Sequence, residues 1–237
     1  MDIRCISQAC RSSLKILFGE SVYQKSSVHY PCIPQSAQAV DRFASAGCRF
    51  LFIGTQFEIK GGVALIKAFH QVRAKAPDAT LDIITHLPSR YQAMVSGVPG
   101  IRLHPAIFTR DEIHAQFMSK CDVLVLPTYV ESFGMVALEA LAHGLAIIAT
   151  DVYALGEMVK DGQNGNLLDP PLSIWDGVIP SRYYWDLENI KQHIEKTDTT
   201  AFEDALAQAM IRFAADVEWR LAARRESVNL MSSRFSC

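Results

Sequence analysis

Two carboxylates stand eight residues apart in Glu131-Ser-Phe-Gly-Met-Val-Ala-Leu-Glu139, with a glycine between them. The window follows an apolar run, Cys121-Asp-Val-Leu-Val-Leu-Pro127, and leads into Ala140-Leu-Ala-His-Gly144. That order reads as a buried strand, a turn carrying the first carboxylate, and a helix carrying the second in its early turns. A helix opening near Phe133 and Gly134 would present free backbone N–H groups and the positive end of its dipole, which attract phosphate. A carboxylate on either side can accept hydrogen bonds from sugar hydroxyls. Together these are the parts of a site for a phosphate joined to sugars.

Elements of regular structure must place those groups. Phe50-Leu-Phe-Ile53 is a short apolar run ending at Gly54, as expected of a strand buried on both faces. A loop through Thr55 and Lys60-Gly61-Gly62 leads into a helix with Leu65, Ile66, Phe69 and Val72 on one face, stopped by Ala76-Pro77-Asp78. Leu81–Thr85, Ile101–His104, Val123–Leu126, Ala146–Ala149 and Asn166–Leu168 are further predicted strands. Short helices are predicted at Tyr91–Val95 and Leu155–Val159, and Thr109-Arg-Asp-Glu112 is a capping box that opens another. The Glu139 helix ends near Gly144. Strand and helix alternate throughout, which implies a Rossmann-like doubly wound parallel α/β sheet with helices on both faces. Ligands of such sheets bind beyond the carboxyl ends of the strands, where the Gly54 loop and the Glu131 turn both lie. After Pro170-Pro171 the pattern is helical: Thr200-Ala-Phe-Glu203 reads as a second capping box, and Phe202, Leu206, Met210 and Phe213 form a core stripe. Residues before 48 are weakly patterned; Leu14–Phe18 fits a strand or a helical turn, and the prolines of Val28–Pro34 suggest an extended connection.

Composition excludes several classes. Of the 237 residues, 49% are hydrophobic and 20% charged, as in an ordinary globular protein, and the net charge of −2 offers no electrostatic footprint for nucleic acid or an anionic membrane. No signal peptide and no transmembrane run is readable, so the cytoplasm is the default compartment. The six cysteines make no C-x-x-C pair and read as thiols; the seven histidines make no H-x-x-x-H pair, so no metal site is expected.

Three blocks together resemble the C-terminal half of a retaining glycosyltransferase of the large group-1 family, which has the GT-B fold. They are Phe52-Ile-Gly54 with Glu58-Ile-Lys60-Gly61-Gly62; Glu131 to Glu139, matching a Glu-x7-Glu motif; and Gly144–Thr150 continuing through Glu157–Gly162 and Gly165. The likeness runs over roughly residues 28 to 236. It implies one half of a GT-B fold at residues 49–237, a nucleotide-sugar-binding domain with C-terminal helices. Residues 1–48 would be a linker and the remnant of a preceding domain.

The resemblance also assigns roles. Lys60 would neutralise charge on the leaving diphosphate, Glu131 would touch the transferred sugar, and Glu139 would hold the ribose hydroxyls. Backbone N–H groups of Phe133, Gly134 and Met135 would meet phosphate or sugar. Gly54 would let the diphosphate approach the backbone, and Ile107, in Ala106–Phe108, would flank the nucleobase. Where the family often has an arginine this chain has Thr55, which offers one neutral hydrogen bond; Arg110 or Lys67 are substitute cations that the sequence does not place. The donor is expected to be a UDP- or GDP-type sugar, a co-substrate rather than a cofactor, with no metal required. The family's acceptor domain is missing from this chain, so a partner domain or subunit is expected and turnover by the chain alone is not. Base, sugar, acceptor and oligomeric state are not readable. The alternative reading is a non-catalytic nucleotide-sugar-binding module. A glycoside hydrolase using Glu131 and Glu139 is disfavoured, because retaining hydrolases hold two carboxyls about 5 Å apart across the bond. A turn and a helix position eight residues apart do not obviously do that.

Overall fold

A computed structural model describes residues 2–34, 47–181 and 186–235. The chain opens with β1 (Ile3–Cys5), α1 (Gln8–Phe18), α2 (Glu20–Tyr23) and β2 (Ser26–Val28). It continues β3 (Arg49–Gln56), α3 (Gly62–Lys75), β4 (Thr80–His86), α4 (Gln92–Val95), β5 (Ile101–Pro105), α5 (Arg110–Ile113), β6 (Val123–Leu126), α6 (Met135–Ala142), β7 (Ala146–Thr150), α7 (Leu155–Met158) and β8 (Gly165–Leu168). A short hairpin, β9 (Trp175–Asp176) and β10 (Ile179–Pro180), precedes α8 (Leu187–Lys196), α9 (Thr200–Ala215) and α10 (Val217–Leu230).

β3 to β8 form one six-stranded sheet in the order β5-β4-β3-β6-β7-β8, every pairing parallel. From β3 the chain winds outward through β4 to β5, then returns to the other side of β3 and winds through β6 and β7 to β8. This is the doubly wound arrangement, and its switch point lies between β3 and β6. The alternation of strand side chains divides the core in two. Phe50 and Phe52 of β3 face one layer, with Leu65, Ile66, Phe69 and Val72 of α3 and the stripe Phe202, Leu206, Met210 and Phe213 of α9. Leu51 faces the other, with Leu126 of β6, Leu138 and Leu141 of α6, Met158 of α7, and Met231 and Phe235 beyond α10.

α10 is fastened beneath the sheet by buried charge. Arg224 Nη1 lies 3.0 Å from Asp122 Oδ1, its Nε donates to the Gly144 carbonyl at 2.8 Å, and Asp122 Oδ2 accepts the Arg49 N–H at 2.9 Å. The neighbouring Arg220, also buried, donates to the Phe213 carbonyl.

Several expectations change. Residues 2–28 are organised, not weakly patterned: β1 and β2 pair in parallel across α1, and Leu14–Phe18 is helical because Ser7 caps the N-terminus of α1. Glu157 fixes this unit to the main sheet domain by accepting the N–H groups of Gln8 and Ala9, each at 2.9 Å, and the Tyr30 hydroxyl at 2.6 Å. The stretch expected as a linker falls largely at residues 35–46, outside the described residues. The capping box at Thr200–Glu203 does not form. Thr199 is the N-cap of α9, and Glu203 turns instead to Lys67 and the Thr199 hydroxyl. Cys5, Cys10, Cys48 and Cys121 are thiols, but Cys32 is disulfide-bonded, against the expectation for all six. No described helix is long and apolar enough to cross a membrane.

Candidate functional site

The site is built at the switch point, where the loops following β3 and β6 lie side by side. The loop after β3 is tight, with Lys60 N–H bonded to the Gln56 carbonyl, Gly61 N–H to Glu58 and Gly62 N–H to Phe57. Its glycines are demanded by close approach. Gly61 has φ +77° and lies against the Pro127 carbonyl, where an added Cβ would come within 1.9 Å of the oxygen; a Cβ on Gly62 would enter the Phe57 ring. Backbone then ties the two loops, the Tyr129 N–H donating to the Ile59 carbonyl at 2.9 Å. Tyr129 is buried, and that burial, with Glu203 nearby, pushes its hydroxyl up to about 12, so it stays neutral under the loop.

Lys60 and Glu131, named separately from the sequence, meet here. Lys60 Nζ donates to Glu131 Oε2 at 2.9 Å and to the Val130 carbonyl at 2.9 Å. The Ser132 N–H binds Glu131 Oε1 at 3.0 Å, which fixes the carboxylate plane. Both side chains are largely enclosed, 22% and 14% exposed, which strengthens their attraction over that of a surface pair. An ammonium has three donors, so the third N–H of Lys60 remains for a ligand. Gly54 lies directly under the lysine stem: a Cβ there would come within 2.9 Å of Lys60 Cγ. The glycine therefore makes room for Lys60.

α6 begins at Met135 with Gly134 as N-cap at φ +91°, and no side chain caps it, so the N–H groups that open it have no side-chain partner. A Cβ on Gly134 would strike Leu155 at 2.6 Å. Phe133 is 2% exposed with its ring in the core beside Tyr30, so only its backbone is available; Met135 is exposed. Glu139 lies one helical turn further and is only 9% exposed, and Arg110 Nε stands 2.6 Å from its Oε1. His114 Nε2 is 3.7 Å from its Oε2, too far for a hydrogen bond. His114 was missed from the sequence; its signal was the four-residue spacing from Arg110 on one helix face. Of the two substitute cations, Arg110 therefore reaches the site, while Lys67 is bound to Glu203 at 2.8 Å. Thr55 is exposed at the end of β3, and Ile107 is 76% exposed on the loop between β5 and α5. Each carboxylate of the Glu-x7-Glu window thus has its own cation, Glu131 with Lys60 and Glu139 with Arg110.

Residues 47–176 match the family described as Glycosyl transferases group 1. The D-inositol 3-phosphate glycosyltransferase of Arthrobacter sp. (strain FB24) is 33% identical over 144 residues, 56% of this chain and 34% of that protein. The phosphatidyl-myo-inositol mannosyltransferase of Mycobacterium tuberculosis (strain ATCC 25618 / H37Rv) is 33% identical over 152 residues, 61% of this chain and 40% of that protein. The chain accordingly spans well under half the length of these relatives. Among solved structures, the pneumococcal O-GlcNAc transferase in complex with UDP and GlcNAc superimposes with a TM-score of 0.67 at 18% identity, over 98% of this chain and 42% of that one. The C-terminal domain of a group 1 family glycosyl transferase from Francisella tularensis gives a TM-score of 0.56 at 21% identity, over 87% of this chain and 95% of that one. The sheet is thus the Rossmann-like half of a GT-B fold, and the chain belongs to the group 1 glycosyltransferase family.

Proposed function

We propose that this chain is the donor-binding half of a retaining glycosyltransferase, holding a nucleoside-diphosphate sugar for transfer to a hydroxyl acceptor. The observation that carries the reading is the Lys60–Glu131 pair at the switch point, with Glu139 one turn along the adjoining helix. Lys60 binds the diphosphate with its remaining donor and neutralises charge as the leaving group departs. Glu131, held by Lys60 and the Ser132 N–H, orients the hydroxyls of the transferred sugar. The backbone N–H groups of Phe133, Gly134 and Met135 face phosphate or sugar, Glu139 accepts from the ribose hydroxyls, and Ile107 and Thr55 line the base and phosphate sides. In the reaction, the bond from the anomeric carbon to the β-phosphate oxygen breaks. The acceptor oxygen bonds to that carbon on the same face, and its proton passes to the departing phosphate.

Residues 49–237 form this donor domain, and residues 1–48 are the end of a preceding acceptor domain and its linker. The β1-α1-β2 unit supports this division. A two-stranded sheet is marginal alone, and Ile16, Leu17 and Phe18 on α1 are more than half exposed. UDP occurs in the complex of the pneumococcal neighbour, which supports a UDP-type donor.

Calorimetric titration of the purified chain with UDP, GDP, ADP and their sugar conjugates tests the reading. Losing a charge-assisted bond costs about 1.5–3 kcal/mol, so Lys60→Ala and Glu139→Ala should each weaken nucleotide binding roughly 10- to 100-fold. Transfer to an added acceptor separates an enzyme from a binding module. Absence of binding at millimolar nucleotide refutes the donor site.

A further inference from the structure

Arg110 is the first residue of α5, a helix whose start is rigid. The Thr109 N–H and hydroxyl both donate to Glu112 Oε2 at 2.8 Å, and the Glu112 N–H returns to the Thr109 hydroxyl. The helix then widens into a π turn, His114–Met118, a distortion that recurs at functional sites. This frame brings the Arg110 guanidinium to the buried Glu139 at 2.6 Å while leaving its side chain 53% exposed. The contact is an ion pair made through Nε. A half-exposed guanidinium therefore stands beside the carboxylate read as the ribose ligand. Beside the second oxygen of that carboxylate, Oε2, stands His114 at 3.7 Å.

We propose that Arg110 is a ligand of the donor's diphosphate. It holds Glu139 by Oε1 and turns its free N–H groups to the phosphate oxygens, supplying the bidentate cation that Thr55 does not. This rests on the donor-site reading above. A guanidinium fork matches two oxygens of a phosphate, which a lysine point charge does not.

The test is calorimetry of each nucleoside diphosphate against its nucleoside (UDP with uridine, GDP with guanosine, ADP with adenosine) on the wild type, Arg110→Gln and Arg110→Lys. Thermal melts would establish that each variant is folded. The expected result is a diphosphate affinity about 10- to 100-fold lower in Arg110→Gln, the nucleoside affinity changed much less, and partial recovery in Arg110→Lys. Diphosphate binding by the wild type should also fall with added salt more steeply than in Arg110→Gln. Equal losses for diphosphate and nucleoside would mean that Arg110 acts only through Glu139 and would overturn the proposal, as would tighter binding in Arg110→Gln, the mark of a plug over the ribose site. If the wild type binds none of the nucleotides, the donor-site reading fails and the proposal fails with it. Wild-type binding with an unaltered diphosphate-to-nucleoside ratio in Arg110→Gln sinks the proposal alone.

Discussion

Gly54→Ala isolates the placement of Lys60. Gly54 does not have a positive φ, so alanine meets no backbone penalty there. The added methyl would lie 2.9 Å from Lys60 Cγ and 3.0 Å from Lys60 Cβ. Both atoms belong to the root of the side chain, so the stem must move rather than merely rotate its tip. Overpacking of this kind costs about 1–3 kcal/mol, and about 2–4 °C of melting temperature accompanies each kcal/mol in a domain of this size. The functional cost is larger than the thermal one suggests. The Lys60 bonds to Glu131 and Val130 are 2.9 Å each, and displacing the stem by the few tenths of an ångström needed pulls Nζ from both. Nucleoside diphosphate binding should then fall about tenfold or more, the cost of one charge-assisted bond. Uridine, which lacks the phosphates, should bind as before. In a Lys60→Ala background the clash with Cγ is gone, so Gly54→Ala should cost less binding than in the wild type, a coupling that a double-mutant cycle reads directly. Additive losses in the two variants, or wild-type UDP affinity in Gly54→Ala, would refute the claim that Gly54 exists to seat Lys60.

Two further substitutions probe the frame. Arg224→Met leaves Asp122 as a buried, uncompensated carboxylate and should cost about 3–5 kcal/mol in urea unfolding, with part recovered in the double variant Arg224→Met/Asp122→Asn; a loss under about 1 kcal/mol would show the pair to be no better than a surface one. On β4, beside the edge strand β5, Asp82 accepts from Arg102 Nε and Nη2 and lies 2.8 Å from His104 Nε2. Burial alone would raise its carboxyl, but these partners outweigh it and hold the group below its usual range. A depressed folded value means that the stability Asp82 contributes is present above the ordinary carboxylate pKa of about 3.9 and is lost as pH falls through the lower folded value. Asp82→Asn should therefore be less stable than the wild type at neutral pH, with the gap closing in acid; a gap independent of pH would contradict this.

The fold was legible because its signals are local. Val123–Leu126 stands where the sequence placed it, and the other strands of the sheet differ by a few residues at their ends, since uninterrupted apolar runs between loops are what a buried parallel strand requires. The Thr109–Glu112 capping box formed as read, because nothing competes for its partners. Its counterpart at Thr200–Glu203 did not, because Lys67, on α3, draws Glu203 away through a contact no local pattern encodes. The order around β1, α1 and β2 was missed for a similar reason: the carboxylate that anchors the N-terminus of α1, Glu157, lies far along the chain.

The candidate site divides along the same line. Glu131, Gly134 and Glu139 share one strand-turn-helix segment, so their relation could be read from spacing. The union of Lys60 with Glu131 follows from topology, since β3 and β6 are neighbours only because the sheet reverses its winding between them. Arg110 shows the limit. Its charge was visible, but its partner, Glu139, lies on α6, twenty-nine residues along the chain, and no local pattern pairs them. The resulting pattern has a physical logic. A carboxylate as enclosed as Glu139 or Glu131 is costly to bury without a counter-charge, and each has one. A cation that already holds it, and has donors left over, stands within reach of the next anion to arrive. Pairing each carboxylate with such a cation offsets its charge where the two loops meet. It also makes acceptors for hydroxyls and donors for phosphate available together, which is what a ligand combining both requires.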